Sequence, residues 1–313
     1  MELIRSDTHI DFLGRRKIAM GISGTLVLLS ILLLIFKGLN FGIDFTGGTL
    51  VETRFAQAPS IADVREALTP KGYGNAVIQQ YGNPKEIMIR VQNRDSKASS
   101  KISNTVLDAL NAKFSNHVEM RRVEYVGPQV GKELTQAGIM AVLFAMIAIF
   151  GYVMFRFELR YAVGADLALV HDTSIVLGAF AITGMEFNLT VVAAVLTVIG
   201  YSLNDTIVVF DRIREMNAVN RKKKNPEDEP TTANNAINQT LSRTLITSFT
   251  VLIVLLSLFF LGGEVIHGFA FALLVGVVVG TYSSIYIASP IKLMMKGHTK
   301  ADEDAVREME ARP

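Results

Sequence analysis

Six polar side chains interrupt the long apolar segments of this 313-residue sequence and are its candidate functional residues: Asp166, His171, Asp172, Asn204, Asp205 and Arg243. A carboxylate can take up and release a proton or bind a cation, and a histidine beside it can relay that charge. Inside a membrane span, an ionisable group costs several kcal/mol unless it is paired, hydrated or turned toward the bundle interior. These residues therefore predict an ion pathway, provided that the apolar segments cross a membrane.

The composition and the length of the apolar segments predict an α-helical membrane protein. Half of the residues are hydrophobic, and there is no cysteine, which excludes disulfides, cysteine metal sites and thiol nucleophiles. Crossing a hydrocarbon core takes about 20 apolar residues per helix. Six segments meet that requirement: 18–36, 135–155, 162–183, 188–210, 244–261 and 268–290.

The distribution of Lys and Arg predicts the orientation of the chain. Basic residues occupy 15–17 and the RKKK run at 221–224, whereas the turns at 184–187 and 262–267 hold none. Because cytoplasmic loops carry the excess of Lys and Arg, both termini are predicted to be cytoplasmic. The predicted parts are a cytoplasmic N-terminus with the first transmembrane helix (1–37), an outer domain (38–134), a five-helix transmembrane bundle (135–291) and a cytoplasmic tail (292–313).

The outer segment has the periodicities of a small α+β domain. Alternating apolar residues predict strands, and apolar residues at helical spacing predict two amphipathic helices, the first with Ser60 as its N-cap. A hairpin turn is expected at Asn83-Pro84. The predicted order is strand 49–55, helix 60–72, strands 76–82 and 86–92, helix 100–114 and strand 118–126. This β-α-β-β-α-β order is that of a ferredoxin-like domain, here extracytoplasmic and between helices 1 and 2, and we expect it to bind rather than to catalyse.

The membrane residues lie at different predicted depths. Asp205 is five residues from the end of its segment at 210, so roughly 8 Å inside the cytoplasmic boundary, at about 1.5 Å per residue. Asp172 falls near the bilayer centre, and Asp166 and Arg243 fall near the cytoplasmic boundary. Six residues separate Asp166 from Asp172, which places them on different helix faces. We do not expect these two carboxylates to share one site.

Two interpretations of these residues stay open. They can be polar groups of helix packing, hydrogen-bonded to Ser202, Thr206, Thr173 or a carbonyl oxygen. Alternatively, Asp205 set against Arg243 can bind and release a proton or a cation. His171 beside Asp172 fits a relay and an orienting hydrogen bond equally well.

An intramembrane aspartyl protease would also need two membrane aspartates. Those enzymes place one in a Tyr-Asp and the other in a Gly-x-Gly-Asp context, whereas here Asp172 follows His171 and Asp205 follows Asn204. The Gly47-Gly48 pair is not a phosphate loop, because no Lys-Ser/Thr follows it. We therefore expect no catalytic activity, no cofactor, no metal and no nucleic-acid partner.

Six stretches, in order along the chain, resemble motifs of the SecD/SecF family of protein-export membrane proteins. They are FGIDFTGGT (41–49), YVGPQVGKEL (125–134), ALVHDTSIVLG (168–178), YSLNDTIVVFDRIRE (201–215), NQTLSRTLITS (238–248) and GTYSSIYIASPI (280–291). The single outer domain of 38–134 and the NDTIVVFDRIRE stretch resemble the SecF branch, since the outer region of SecD is much longer.

The resemblance implies a fold, a function and partners. The family belongs to the resistance-nodulation-division (RND) superfamily, in which two six-helix halves form one unit, so SecD is the implied partner half. The implied setting is the bacterial cytoplasmic (inner) membrane, with a periplasmic outer domain, beside the SecYEG channel and YajC. The implied function is the use of an ion gradient in late preprotein translocation. Carried over by motif, the ion-pathway residues are Asp205 and Arg243, and with less support Asp166 and Asp172.

Other functions stay open. A passive scaffold would use the membrane charges only to hold its partner, and a small-molecule exporter half is disfavoured by the small outer domain. A carboxylate serves a proton or a sodium ion alike, so the coupling ion is not predicted.

Overall fold

The computed structural model describes residues 9–92, 96–115 and 117–295. The first eight residues and the part of the predicted cytoplasmic tail from 296 onward lie outside this range. In chain order, the structure opens with α1 (Arg16–Phe36), a two-residue strand β1 (Asn40–Phe41) and a one-turn helix α2 (Ile43–Thr46). These short elements form the linker between the first long helix and the outer domain.

The outer domain has the predicted β-α-β-β-α-β order. Its elements are β2 (Gly48–Phe55), α3 (Ile61–Leu68) with a 3₁₀ turn at Thr69–Lys71, β3 (Val77–Tyr81), β4 (Asn83–Val91), α4 (Ser96–Lys113) and β5 (Val118–Val126). The four strands form one antiparallel sheet in the order β3-β4-β2-β5. This is the ferredoxin-like arrangement, and the predicted fold class is confirmed.

Local sequence explains how these elements begin and turn. Ser60 caps α3 as predicted, with its Oγ accepting a hydrogen bond of 3.1 Å from the Asp63 amide. The predicted hairpin turn at Asn83-Pro84 is wrong, because Asn83 already pairs with Tyr81 in the ladder. The chain reverses at Gly82, whose φ of +66° is one that glycine adopts without a steric penalty.

The bundle follows the outer domain. It consists of α5 (Pro128–Arg156), α6 (Leu159–Thr183), a two-residue strand β6 (Glu186–Phe187), α7 (Leu189–Arg221), α8 (Glu229–Leu261), α9 (Glu264–Ser283), a π-helical turn (Ser284–Ala288) and α10 (Ser289–Met294). Among the described residues, six helices are long and apolar enough to cross a membrane, with α9, the π turn and α10 forming the last. The predicted number of spans is confirmed.

Several helices extend beyond the predicted spans. The fourth was expected to end at 210, but α7 continues to Arg221, and the fifth was expected to start at 244, but α8 starts at Glu229. These extensions contain too many polar residues to be counted within an apolar segment of the length that crosses a membrane. They remain helical because they pack on each other and on α6, burying Ile213 and Ile237 in a common core.

Packing identifies the central helices. Half of the apolar stretch of α6 and of α7 is buried within the chain, against 17% for α1 and 6% for α5. One apolar cluster runs through α6, α7, α8 and α9, with Phe180 and Val198 among its buried members, and a second joins α5, α6, α7, α8 and the π turn. The helices that carry most of the candidate residues, α6 and α7, are thus the ones most enclosed by the chain itself.

Candidate functional site

Two carboxylates lie in the interior of the bundle. Asp172, near the middle of α6, is 1% exposed, and Asp205, sixteen residues from either end of α7, is 7% exposed. They are the two acidic side chains classed as buried in the part of the chain that the structure describes. Each must therefore find its hydrogen-bond donors within the bundle.

Asp172 is held by two hydroxyl groups and a histidine. Ser202 of α7 and Ser283 of α9 both donate to Oδ2, at 2.5 and 2.8 Å. His171 Nδ1 lies 2.8 Å from Oδ1, and its ring stacks on Tyr282. Residues of three helices thus converge on one carboxylate, and His171 lies within hydrogen-bond distance of its second oxygen.

Asp205 is held by hydroxyl groups alone. Thr244 of α8 donates to Oδ1 at 2.8 Å, and Ser284 of the π turn donates to Oδ2 at 2.6 Å. Both hydroxyl groups are buried. A hydroxyl can donate to a charged carboxylate or accept from a protonated one, so the same partners satisfy Asp205 in either state.

The π turn connects the two carboxylates. Ser283 and Ser284 are consecutive, and successive helical side chains point about 100° apart, which lets one serine reach Asp172 and the next reach Asp205. Ser289 closes the turn by donating to the Ser284 carbonyl at 2.9 Å. Such π turns interrupt α-helices often at functional sites. The last span therefore contacts both buried carboxylates through adjacent residues.

Further hydroxyl groups continue toward the surface of the bundle. Tyr201 donates to Ser248 at 3.1 Å, and Ser248 lies 2.7 Å from Thr281. Ser248 and Thr281 line an open, mainly apolar groove between α8 and α9, together with Ser242 and Phe249. These hydroxyl groups thus lie beside a groove on the outer surface of the bundle.

The other predicted residues do not join this site. Asn204 and Arg243 are exposed on the bundle surface. Asp166 is half-buried, and its Oδ1 is enclosed without a hydrogen-bond partner among the described residues. No hydrogen bond in the described part of the chain joins it to Asp172 or Asp205.

The structure does not bring Arg243 to Asp205, contrary to the pairing considered from the sequence. Thr244 faces Asp205, and its neighbour Arg243 is turned by about 100° along α8. Within the described residues, Arg243 makes no ion pair. The hydroxyl ligands Ser283, Ser284 and Thr244 were not predicted. Two consecutive serines in an otherwise apolar span were the signal that could have indicated them.

The site has no recognisable metal centre. Among the described residues, no group of three or more His, Asp or Glu side chains is placed to hold a metal ion. The available ligands are carboxylate and hydroxyl oxygens, which accept a proton or a hard cation rather than a soft metal.

Comparison with known proteins assigns the chain to a family. Residues 106–298 match the model of the protein export membrane protein SecD/SecF, C-terminal, and residues 32–59 match the SecD/SecF GG motif. The chain is 55% identical to the protein translocase subunit SecF of Magnetococcus marinus over 94% of both chains. It is 48% identical to SecF of Vibrio alginolyticus over 94% of this chain and 92% of that one.

A solved structure agrees with these matches. The crystal structure of SecDF, a translocon-associated membrane protein from Thermus thermophilus, superposes with a TM-score of 0.82 at 36% identity, covering 93% of this chain. This chain spans only 39% of the SecDF chain. The chain belongs to the SecD/SecF family of protein-export membrane proteins, among the SecF protein translocase subunits.

Proposed function

We propose that this chain couples a transmembrane ion gradient to late preprotein translocation, as a non-enzymatic subunit working together with SecD. The observation that supports this most directly is the pair of buried carboxylates, neither of which is paired with Lys or Arg among the described residues. A carboxylate fixed by a cation keeps its charge. One that is held by hydroxyl groups can exchange a proton or a cation without losing its partners.

The energy available from an ion is adequate for this function. One elementary charge crossing about 100 mV releases about 2.3 kcal/mol. That is enough to shift a two-state equilibrium whose conformers differ by a few kcal/mol. An ion passing Asp205 can therefore reset the position of the outer domain, although it cannot unfold a preprotein.

A second six-helix half is proposed as the partner of this bundle, because polar residues are exposed on the bundle surface. Arg243 and Asn204 are exposed where neighbouring helices are apolar, and a lone cation facing lipid is costly. A second six-helix half would cover them and supply a counter-charge. The name of the matched structure, SecDF, combines SecD with SecF, and its chain is more than twice as long as this one. SecD is accordingly the proposed partner, with the SecYEG channel, YajC and the preprotein as further ones.

A passive scaffold remains the second candidate, because the hydrogen bonds of Asp172 and Asp205 would also stabilise a bundle that moves no ions. Ion flux separates the two functions. Proteoliposomes containing this chain, SecD, the SecYEG channel and a translocating preprotein should show flux that depends on Asp205. Replacing a proton gradient by a sodium gradient would then identify the ion.

We expect His171→Phe to reduce gradient-stimulated export only partly, and less than Asp205→Asn. Phenylalanine preserves the ring packing on Tyr282, and Asp172 retains the hydroxyl groups of Ser202 and Ser283. The lost hydrogen bond is worth about 0.5–1.5 kcal/mol. Export by proteoliposomes at matched assembly measures the effect. His267→Phe, a histidine bonded to the Phe259 carbonyl on α8, away from the carboxylates, is the control. A loss equal to that of Asp205→Asn would contradict the ranking.

The proposed location is the bacterial inner membrane, with both termini cytoplasmic and residues 38–134 periplasmic. The chain has no cysteine, so single cysteines can be introduced without background. We expect Lys71→Cys, in the outer domain, to react with a membrane-impermeant maleimide in intact spheroplasts. Lys224→Cys, between α7 and α8, should react only after permeabilisation. The reverse pattern would overturn the orientation.

A further inference from the structure

The side of the outer sheet that lacks helices carries one buried charge. The two amphipathic helices cover the other side, where Val51, Ile87 and Ile89 form the core. Arg90 of β4 pairs with Leu50 of β2 and lies two residues from Met88 on the same strand. Because alternate residues of a strand point to the same face, these three side chains share the uncovered side of the sheet. Leu50 and Met88 pack on Ile43 of α2. Arg90 is 8% exposed and is the one buried charged side chain in the described part of 48–126.

The chain enters this sheet through two closely packed glycines, here called the glycine joint. Gly47 and Gly48 connect α2 to β2 with φ angles of +67° and +119°. Residues with side chains rarely adopt these angles, and a β-carbon would lie 3.1 Å from Pro128 Cα at Gly47 and 2.6 Å from the Val91 carbonyl oxygen at Gly48. Backbone packing therefore fixes the path of the chain at the joint, and side-chain contacts across it help to set the orientation of the outer sheet.

Arg90 makes those contacts. Its Nη2 donates to Asn40 Oδ1 at 2.6 Å and to Gln79 Oε1 at 3.2 Å, and its Nη1 donates to the Phe41 carbonyl. Asn40 and Phe41 form β1, which precedes the glycine joint, whereas Arg90 and Gln79 follow it. We call Arg90 with Asn40 and Phe41 the Arg90 latch. It joins the two sides of the joint through the planar guanidinium, whose several donors suit such a bridge.

The other edge of β1 is bonded to the bundle. Asn40 and Phe41 pair in parallel with Glu186 and Phe187 of β6, and Asn40 Nδ2 donates to the Gly184 carbonyl at 2.9 Å. Burial, opposed by the attraction of Arg90, raises the pKa of the Glu186 carboxyl. The latch therefore connects the outer sheet directly to the turn between α6 and α7.

That turn leads to Asp205. Asp44 of α2 accepts a hydrogen bond of 2.8 Å from the Leu189 amide, the first residue of α7. Asp205 follows on the same unbroken helix, roughly 24 Å away at about 1.5 Å per residue. A shift or rotation of α7 at Asp205 is thus transmitted through one rigid element to β6, to β1 and to Arg90.

We propose that Arg90 is a positioning residue that couples the outer domain to α7, so that a change at Asp205 moves the outer sheet as a body. This inference rests on the proposed ion coupling, and it predicts a specific separation of effects. Without the latch, ions still pass Asp205, but the outer domain no longer follows α7. Ion flux is then retained while gradient-stimulated export is lost.

The test breaks the latch from both sides in the full chain assembled with SecD. Arg90→Gln removes the guanidinium, and Asn40→Ala removes one of its three acceptors, together with the Nδ2 bonds to Gly184 and Gln79, without changing a residue of the four-stranded sheet. Spin labels on Lys71→Cys in the outer domain and Ile182→Cys at the end of α6 report the distance between the two parts. We expect a narrow distance distribution in the parent chain and a broad one in both variants. In the same proteoliposomes, flux should persist and the gradient-stimulated increment of export should disappear.

Arg54→Gln is the matched control, because Arg54 is an arginine of the same sheet that is exposed and pairs loosely with Glu86 at 3.9 Å. It should leave distance, flux and export unchanged. An unchanged distance distribution in the latch variants, or full export despite a broad one, would overturn the proposal. So would the loss of flux together with export.

If Arg90→Gln fails to assemble with SecD, the results for Asn40→Ala alone test the proposal. If Asp205→Asn keeps flux and export, the proposed ion coupling fails, and the distance measurement alone decides whether the latch exists.

Discussion

We expect Asp205→Asn to abolish ion flux and the gradient-stimulated part of export, while assembly with the proposed partner SecD is retained. Asparagine has nearly the same shape and keeps one oxygen to accept from Thr244 or Ser284, but it can neither bind a proton nor carry charge. Its amide can donate to the second hydroxyl group, and Ser284 can donate to the Thr281 carbonyl at 3.0 Å instead, so the expected cost is that of one exchanged hydrogen bond, about 0.5–1.5 kcal/mol. A loss of that size weakens the bundle without unfolding it, so function and stability separate.

The measurement compares flux and export in proteoliposomes at equal amounts of assembled complex. Asp211→Asn is the matched control, because Asp211 is the next carboxylate on α7, is exposed, and pairs loosely with Arg156 at 3.8 Å and with Arg214 at 3.9 Å. It should behave as the parent chain does. Unchanged flux and export in Asp205→Asn would leave the carboxylate as a packing group and would favour the scaffold function.

The sequence predicts the features that depend on local composition. Six apolar segments are long enough to cross a membrane whatever their neighbours are, and the alternation of apolar residues gives the strand and helix order of the outer domain. Asp172 and Asp205 are conspicuous because a carboxylate is rare inside an apolar run. These predictions need only the sequence within a few turns of each residue.

The features that depend on distant residues were not predicted. Ser284 meets Asp205 from 79 positions away, and serine is so common in helix packing that its presence in a span indicates little. The pairing of Arg243 with Asp205 was considered from their charges and motifs, whereas the rotation of α8 decides which side chain faces inward. The Arg90 latch joins strands of the outer domain to a turn that follows the third span, and no periodicity relates them.

The end of the last span illustrates how such distant contacts constrain the site. Gly164 of α6 packs against the π turn that carries Ser284, and a β-carbon at this position would lie 2.7 Å from the Ala288 carbonyl oxygen. The same carbon would lie 3.5 Å from both the Lys292 amide nitrogen and the Phe210 ring. Backbone on one side and packed rings on the other leave little room to relax, so α6 and the π turn must separate to accommodate it.

Gly164→Ala is therefore expected to lower the free energy of unfolding by about 1–3 kcal/mol, the usual cost of overpacking an interior. Unfolding of the purified chain in mixed detergent micelles, followed by circular dichroism, measures this. Gly24→Ala on α1 is the matched control, because its β-carbon would meet nothing within 4 Å. There the better helix propensity of alanine should stabilise the chain by about 0.5–1 kcal/mol. Equal stabilities of the two variants would mean that α6 and the π turn are not in close contact. A loss confined to Gly164→Ala would establish that the helix of Asp172 supports the serines that hold both carboxylates.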